Sequence, residues 1–138
     1  MSEKRMIEER KIKFYQRKPA ILPNFKLVFD KVSKKNPLTS FANIRREQDA
    51  TTEIVLYEID SKDITTLDKF EGAPVHYTKE IVRVVCEGED VYAIVYIANP
   101  TMVKENLKPT KKYLGYLLEG KDMLSEKYYE NLSKTETL

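Results

Sequence analysis

Hydrophobic and polar residues alternate in several short stretches of the chain. Lys13 to Arg17 and Phe25 to Phe29 read as strands, separated by a turn at Pro23-Asn24. Thr52 to Ile59 is dense in β-branched and aromatic residues and predicts a further strand. Tyr77 to Cys86 and Val91 to Ala98 flank the turn-like Glu87-Gly88-Glu89-Asp90 and predict a hairpin. Both arms are rich in Val and Ile, which puts this hairpin at the centre of the core. Helical spacing replaces alternation at Ser61 to Glu71, where Ile64, Leu67 and Phe70 share a face. Ser61 or Asp63 can cap its start, Gly72 ends it and Pro74 prevents continuation. Three more helices are expected. Ser2 to Glu9 or Arg10 is charged, Thr110 to Glu119 stops at Gly120, and Ser125 to Ser133 starts at a serine cap. Lys31 to Thr39 is a polar loop at a site entrance, Asn99-Pro100 breaks a strand, and the residues after Ser133 read as frayed. Strands first, a helix among them and helices at the end predict an α+β fold with a mixed, strongly curved sheet.

Length and composition narrow the function classes. The 138 residues fit a single domain, without repeats or a linker. A net charge of +2 gives no global case for nucleic acid or membrane. Cys86 is the only cysteine, so no intrachain disulfide forms, and the expected compartment is the cytoplasm. The start is charged and lacks the apolar stretch of a signal peptide, and the longest apolar run, Tyr92 to Ala98, is too short to span a bilayer. His76 is the only histidine, which excludes a multi-histidine metal site and leaves it as a loop residue at a cavity mouth. Cys86, within a Val-rich strand, reads as a buried hydrophobe rather than a nucleophile.

Glu71 is the candidate for chemistry. It falls in the last turn of its helix, against the negative end of the helix dipole, where an exposed carboxylate loses roughly 0.3–1 kcal/mol. Stability would favour Lys or Arg there, whereas a proton acceptor gains from the same field. The plain alternative is a solvated last-turn residue.

Leu67, Asp68, Glu71, Gly72, Pro74 and Tyr77 reproduce the spacing L-D-x-x-E-G-x-P-x-x-Y. With Phe25 to Phe29, Ala42-Asn43-Ile44, Val55-Leu56-Tyr57, Tyr113-Leu114, Gly120, Leu124 and Tyr128 in order, the chain resembles the gamma-glutamylcyclotransferase family, also called AIG2-like. The resemblance implies a small, barrel-like sheet with short helices and a cavity at its mouth, lined by Glu71. It also implies a reaction without metal or redox cofactor. The α-amine of a small γ-glutamyl substrate attacks its own γ-carbonyl, giving 5-oxoproline, with Glu71 as general acid/base. Tyr77 would orient the glutamate or bind substrate, or pack in the core. Asn43 would face the site or cap a loop, and Tyr128 would close the pocket or pack its helix. Asp68, one turn before Glu71, would raise its basicity by repulsion, or be solvated or tied to nearby backbone. Ile54 stands where the family usually has Gly and would narrow the substrate space.

The family opens with a strand ending in Y-G-S-N, whose backbone holds the γ-glutamyl group. This sequence has no such motif, and Met1 to Arg5 resembles the family's segment directly after that loop. Either the natural start lies upstream or the strand is lacking. In the second case an unpaired sheet edge is expected, which invites a homodimer. Two other function classes stay open. One is a non-catalytic small-molecule-binding protein of the same fold. The other is single-stranded nucleic-acid binding through Lys4, Arg5, Arg10, Lys11, Lys13, Arg17 and Lys18 with Phe14 and Tyr15, a patch diluted by Glu3, Glu8 and Glu9.

Overall fold

The computed structural model describes residues 12–138. The expected helix from Ser2 lies outside them, as do Lys4, Arg5, Arg10 and Lys11. Two long strands come first, β1 (Phe14–Val32) and β2 (Ser40–Ile59), followed by helix α1 (Ile64–Glu71). The hairpin β3 (Tyr77–Cys86) and β4 (Glu89–Ala98) comes next, and helices α2 (Lys111–Leu118) and α3 (Glu126–Ser133) close the chain. The fold is α+β. One sheet has the order β2-β1-β3-β4. Among the described residues its ladders are antiparallel, and the parallel pairing is confined to the Thr39–Lys108 bridge.

Where the sequence predicts two strands and a turn, β1 runs straight through Pro23-Asn24. Asn24 adopts a left-handed φ of 63°, and its Oδ1 accepts a hydrogen bond from Asp49 N at 3.1 Å. The register with β2 shifts there, so the Pro-Asn pair makes a bulge within a strand rather than a reversal. β1 also continues to Val32, which moves Lys31 from the expected loop into a strand end.

The β3–β4 turn is the two-residue Glu87-Gly88, with φ of 52° and 78°. Positive φ at both positions matches the right-handed twist of the strands they join. The hairpin feeds the core from one face. Val82, Val84 and Cys86 are buried with Ala20, Leu22, Phe25 and Ile44, and Val91, Ala93, Val95 and Ile97 pack against them. The opposite face leaves Ile81 and Tyr92 largely exposed.

The sheet curls until its two outer strands meet. Asn43 on β2 accepts a hydrogen bond at Oδ1 from Ala98 N of β4, at 2.8 Å. Its Nδ2 donates to Asp30 Oδ1 at 3.0 Å. Among the described residues a side chain, not a ladder, therefore bridges the seam, and the sheet does not close into a barrel. On the inner side, β1 and β3 share a single rung, Ile21–Val85, among the described residues. Pro19 and Pro23 bracket that rung and have no N–H with which to extend it.

A serine cap starts the last helix as expected, and a threonine cap starts the helix before it. Thr110 accepts from Tyr113 N and Ser125 from Tyr128 N. The helix before Glu71 differs. A 3-10 turn at Ser61–Asp63 leads into α1, and neither Ser61 nor Asp63 caps through its side chain. The C-terminal residues are pinned rather than frayed. Leu138 N donates to Pro109 O at 3.1 Å, and Glu136 pairs with Lys108 at 3.0 Å.

Candidate functional site

Glu71 ends α1 because Gly72 takes a left-handed φ of 68°. Ala73 N then bonds Asp68 O at 2.9 Å, which closes the last turn. A side chain at position 72 would also meet His76, since a Cβ there would lie 2.6 Å from the imidazole Cδ2. The turn after Gly72 contains a cis Ala73–Pro74 bond. Asn99, just past β4, holds it by donating from Nδ2 to the carbonyls of Pro74 and Val75, at 2.5 and 2.7 Å. Asn99 N also donates to His76 O at 2.9 Å. One side chain at the strand break thus fixes the turn that carries Glu71 and His76.

Asp68 is tied to two side chains of the hairpin rather than to solvent or backbone. Tyr96 OH donates to Oδ1 at 2.6 Å and Lys79 Nζ to Oδ2 at 2.9 Å. The tyrosine hydrogen bond, then the lysine one, holds its carboxyl below the usual aspartate range. These contacts fix α1 on β3 and β4 and set the position of Glu71 one turn on.

Glu71 lines a cavity of about 680 Å³ together with Lys31, Lys34, Lys69, His76 and Tyr77. Ala42 anchors another part of the lining. Tyr77 OH donates to Ala42 O at 3.1 Å, and Ala42 N donates to Tyr113 OH at 3.0 Å. Tyr113 reaches the wall from α2 and meets Phe41 edge-on, with ring centroids 5.0 Å apart.

Lys31 is 4% exposed. Its Nζ donates to Val32 O at 2.9 Å and lies 5.6 Å from the Phe41 ring centre and 5.7 Å from that of Tyr77. Burial, then the charge of Lys34, pushes its pKa down, while Glu71 acts in the opposite direction. His76 has a buried Nδ1 with no hydrogen-bond partner. Burial, then Lys31 and Lys34, lowers its pKa. Among the described residues, no three His, Cys, Asp or Glu side chains gather as a metal site.

Of the residues singled out in the sequence, Glu71 and Tyr77 share this cavity. Asn43 adjoins Ala42, but its amide is engaged at the seam. Ile54 pairs with Ala20 and packs against the core cluster. Tyr128 sits against Thr52 and Glu53, away from Glu71, and burial raises its pKa. The loop from Lys31 to Thr39 was expected at a site entrance, and its Lys31, Lys34 and Lys35 line the cavity, whereas the burial of Lys31 and the role of Asn99 were not legible. The one available signal was Val32 after Lys31, which extends an apolar strand past the lysine.

The basic, aromatic start of β1 is engaged with its own fold. Arg17 pairs with Asp122 at 2.7 Å and Lys18 with Glu87 at 3.4 Å. Tyr15 OH donates to Asp60 at 2.6 Å, and Phe14 packs edge-on against Tyr57. No helix among the described residues is long and apolar enough to cross a membrane.

This fold is that of the gamma-glutamyl cyclotransferase class. A solved gamma-glutamyl cyclotransferase superposes with a TM-score of 0.84 at 20% identity, covering 99% of this chain and 83% of that one. The uncharacterised human protein loc79017 gives 0.81 at 20% identity, with 96% and 80% covered. YkqA from Bacillus subtilis gives 0.77 at 21% identity, with 91% of this chain and 47% of that one. The sequence profile of the AIG2-like family matches residues 52–132, and the chain belongs to that family. No curated protein matches it.

Proposed function

We propose that this protein cyclises a small γ-glutamyl peptide or amine to 5-oxoproline, with Glu71 as general acid/base. The observation that carries this reading is a carboxylate at a helix end, lining a cavity together with lysines, in the fold of a gamma-glutamyl cyclotransferase. The substrate α-amine arrives as an ammonium and must lose a proton before it can attack. Glu71 accepts that proton. The amine nitrogen bonds the γ-carbonyl carbon, and the carbonyl electrons move to oxygen in a tetrahedral intermediate. The intermediate collapses, the original amide C–N bond breaks, Glu71 returns its proton to the leaving nitrogen, and the ring nitrogen gives up its second proton to solvent to leave the neutral lactam. Positioned proton transfer of this kind contributes about 10²–10⁴-fold.

The test is 5-oxoproline release from γ-glutamyl amino acids and γ-glutamyl amines. Glu71→Gln keeps the shape of the side chain and removes the base, so turnover is expected to fall by at least about a hundredfold with an unchanged circular dichroism spectrum. A Gln variant as fast as the parent would remove Glu71 from the mechanism. Tight binding of a γ-glutamyl compound without any turnover would instead favour the non-catalytic binding reading.

A further inference from the structure

Lys31 is a buried cation lining a polar cavity. Among the described residues it makes no ion pair, and its one hydrogen-bond acceptor is Val32 O. An ammonium has three N–H donors, so two remain. Burying a charge with so little compensation is costly unless a partner arrives. Phe41, Tyr77 and the Val32 carbonyl fix where the ammonium sits, and Glu71 lies near enough to act on it electrostatically. His76, in the same wall, offers a second unpartnered polar atom.

An acid and a cation lining one cavity match the two charges of an amino-acid head group. We infer that Lys31 binds the α-carboxylate of the γ-glutamyl group while Glu71 takes the proton of the adjacent α-amine. This assignment rests on the cyclisation reading and adds the group that orients its nucleophile. The carboxylate and the amine share one carbon, so holding the first at Lys31 presents the second to Glu71. The γ-carbonyl can then fold back onto the amine. A cation beside the amine also favours its neutral, nucleophilic form. Lys34 and Lys35 line the same cavity from the neighbouring loop and add positive potential that draws an anion in.

The experiment compares γ-glutamylalanine with the analogue whose glutamyl α-carboxyl alone is a carboxamide. Turnover is measured on the parent and on Lys31→Met, and binding is measured by calorimetry on Glu71→Gln. The parent is expected to prefer the acid by about a hundredfold in kcat/KM, mostly through KM, and K31M to lose that preference. Calorimetry on E71Q should show the same preference for the acid. A parent that treats acid and carboxamide alike overturns the assignment, and this comparison needs no variant to fold. A preference that survives in K31M moves the carboxylate to another cation and also overturns it. If E71Q binds the acid selectively while the parent turns nothing over, the cyclisation reading falls and the carboxylate site at Lys31 stands. If nothing binds and nothing turns over, both fall.

Discussion

His76 shows how a single residue records its surroundings. Its ordinary pKa of 6.5 is lowered by burial and by Lys31 and Lys34, so the folded protein binds its proton less readily than the unfolded chain. Below about pH 6.5 the unfolded chain therefore carries more protons, and stability falls as pH drops. Denaturation midpoints are expected to decline from about pH 7.5 to 5.5, and His76→Asn to flatten that slope. An identical slope in both proteins would show that His76 charges without cost. Histidine count and loop position were readable in the sequence, and its burial was not. Burial depends on Gly72, whose hydrogen leaves the room the imidazole fills. Lys31 makes the same point. Its neighbours Phe41 and Tyr77 lie 10 and 46 residues away along the chain, and no local pattern reports such a contact.

At the scale of elements, turn and cap chemistry was the most legible part. Ser125 was expected to start α3 and does so, but it also joins that helix to β2. Its N and Oγ both donate to Glu53, at 2.7 and 2.6 Å, while Oγ accepts from Tyr128 N. Ser125→Ala removes the cap and one donor to the carboxylate. It is expected to cost about 0.5–2 kcal/mol in chemical denaturation, with Ser125→Asp failing to restore the parent because it faces Glu53. A loss below a few tenths of a kcal/mol would mean that solvent replaces both bonds. The predicted turn at Pro23-Asn24 failed for a physical reason. Proline and asparagine in sequence favour a reversal, but Asp49 N lies across from Asn24 and turns the same residues into a bulge. A bulge and a turn use the same backbone angles, and only the partner strand distinguishes them.

At the scale of the whole molecule, the curled sheet brings β2 against β4. The α+β class, the curved sheet and the helix before Glu71 agree with what alternation and the family resemblance imply. The seam does not appear in any pattern, because Asn43, Ala98 and Asp30 lie far apart along the chain and meet only in the fold. Asn43→Ala leaves Ala98 N without its buried acceptor and Asp30 without its donor. The expected cost is about 1–3 kcal/mol, read as a lower midpoint in denaturant with an unchanged slope. A loss under about 0.5 kcal/mol would show that the edges of the sheet hold without it.

The dipeptide Ala42-Asn43 has a consequence for how this architecture can diversify. Tyr77, Tyr113, Asp30 and Ala98 all bond to these two residues, so β2 cannot slip by one position without losing every one of those partners. The loop at residues 33–39, just before it, carries Lys34 and Lys35 and bonds mainly to itself. Selection can therefore lengthen or recharge the loop while the wall behind it keeps its register. The cavity has a fixed back and an interchangeable front, and new specificities can arise at the front without disturbing the fold.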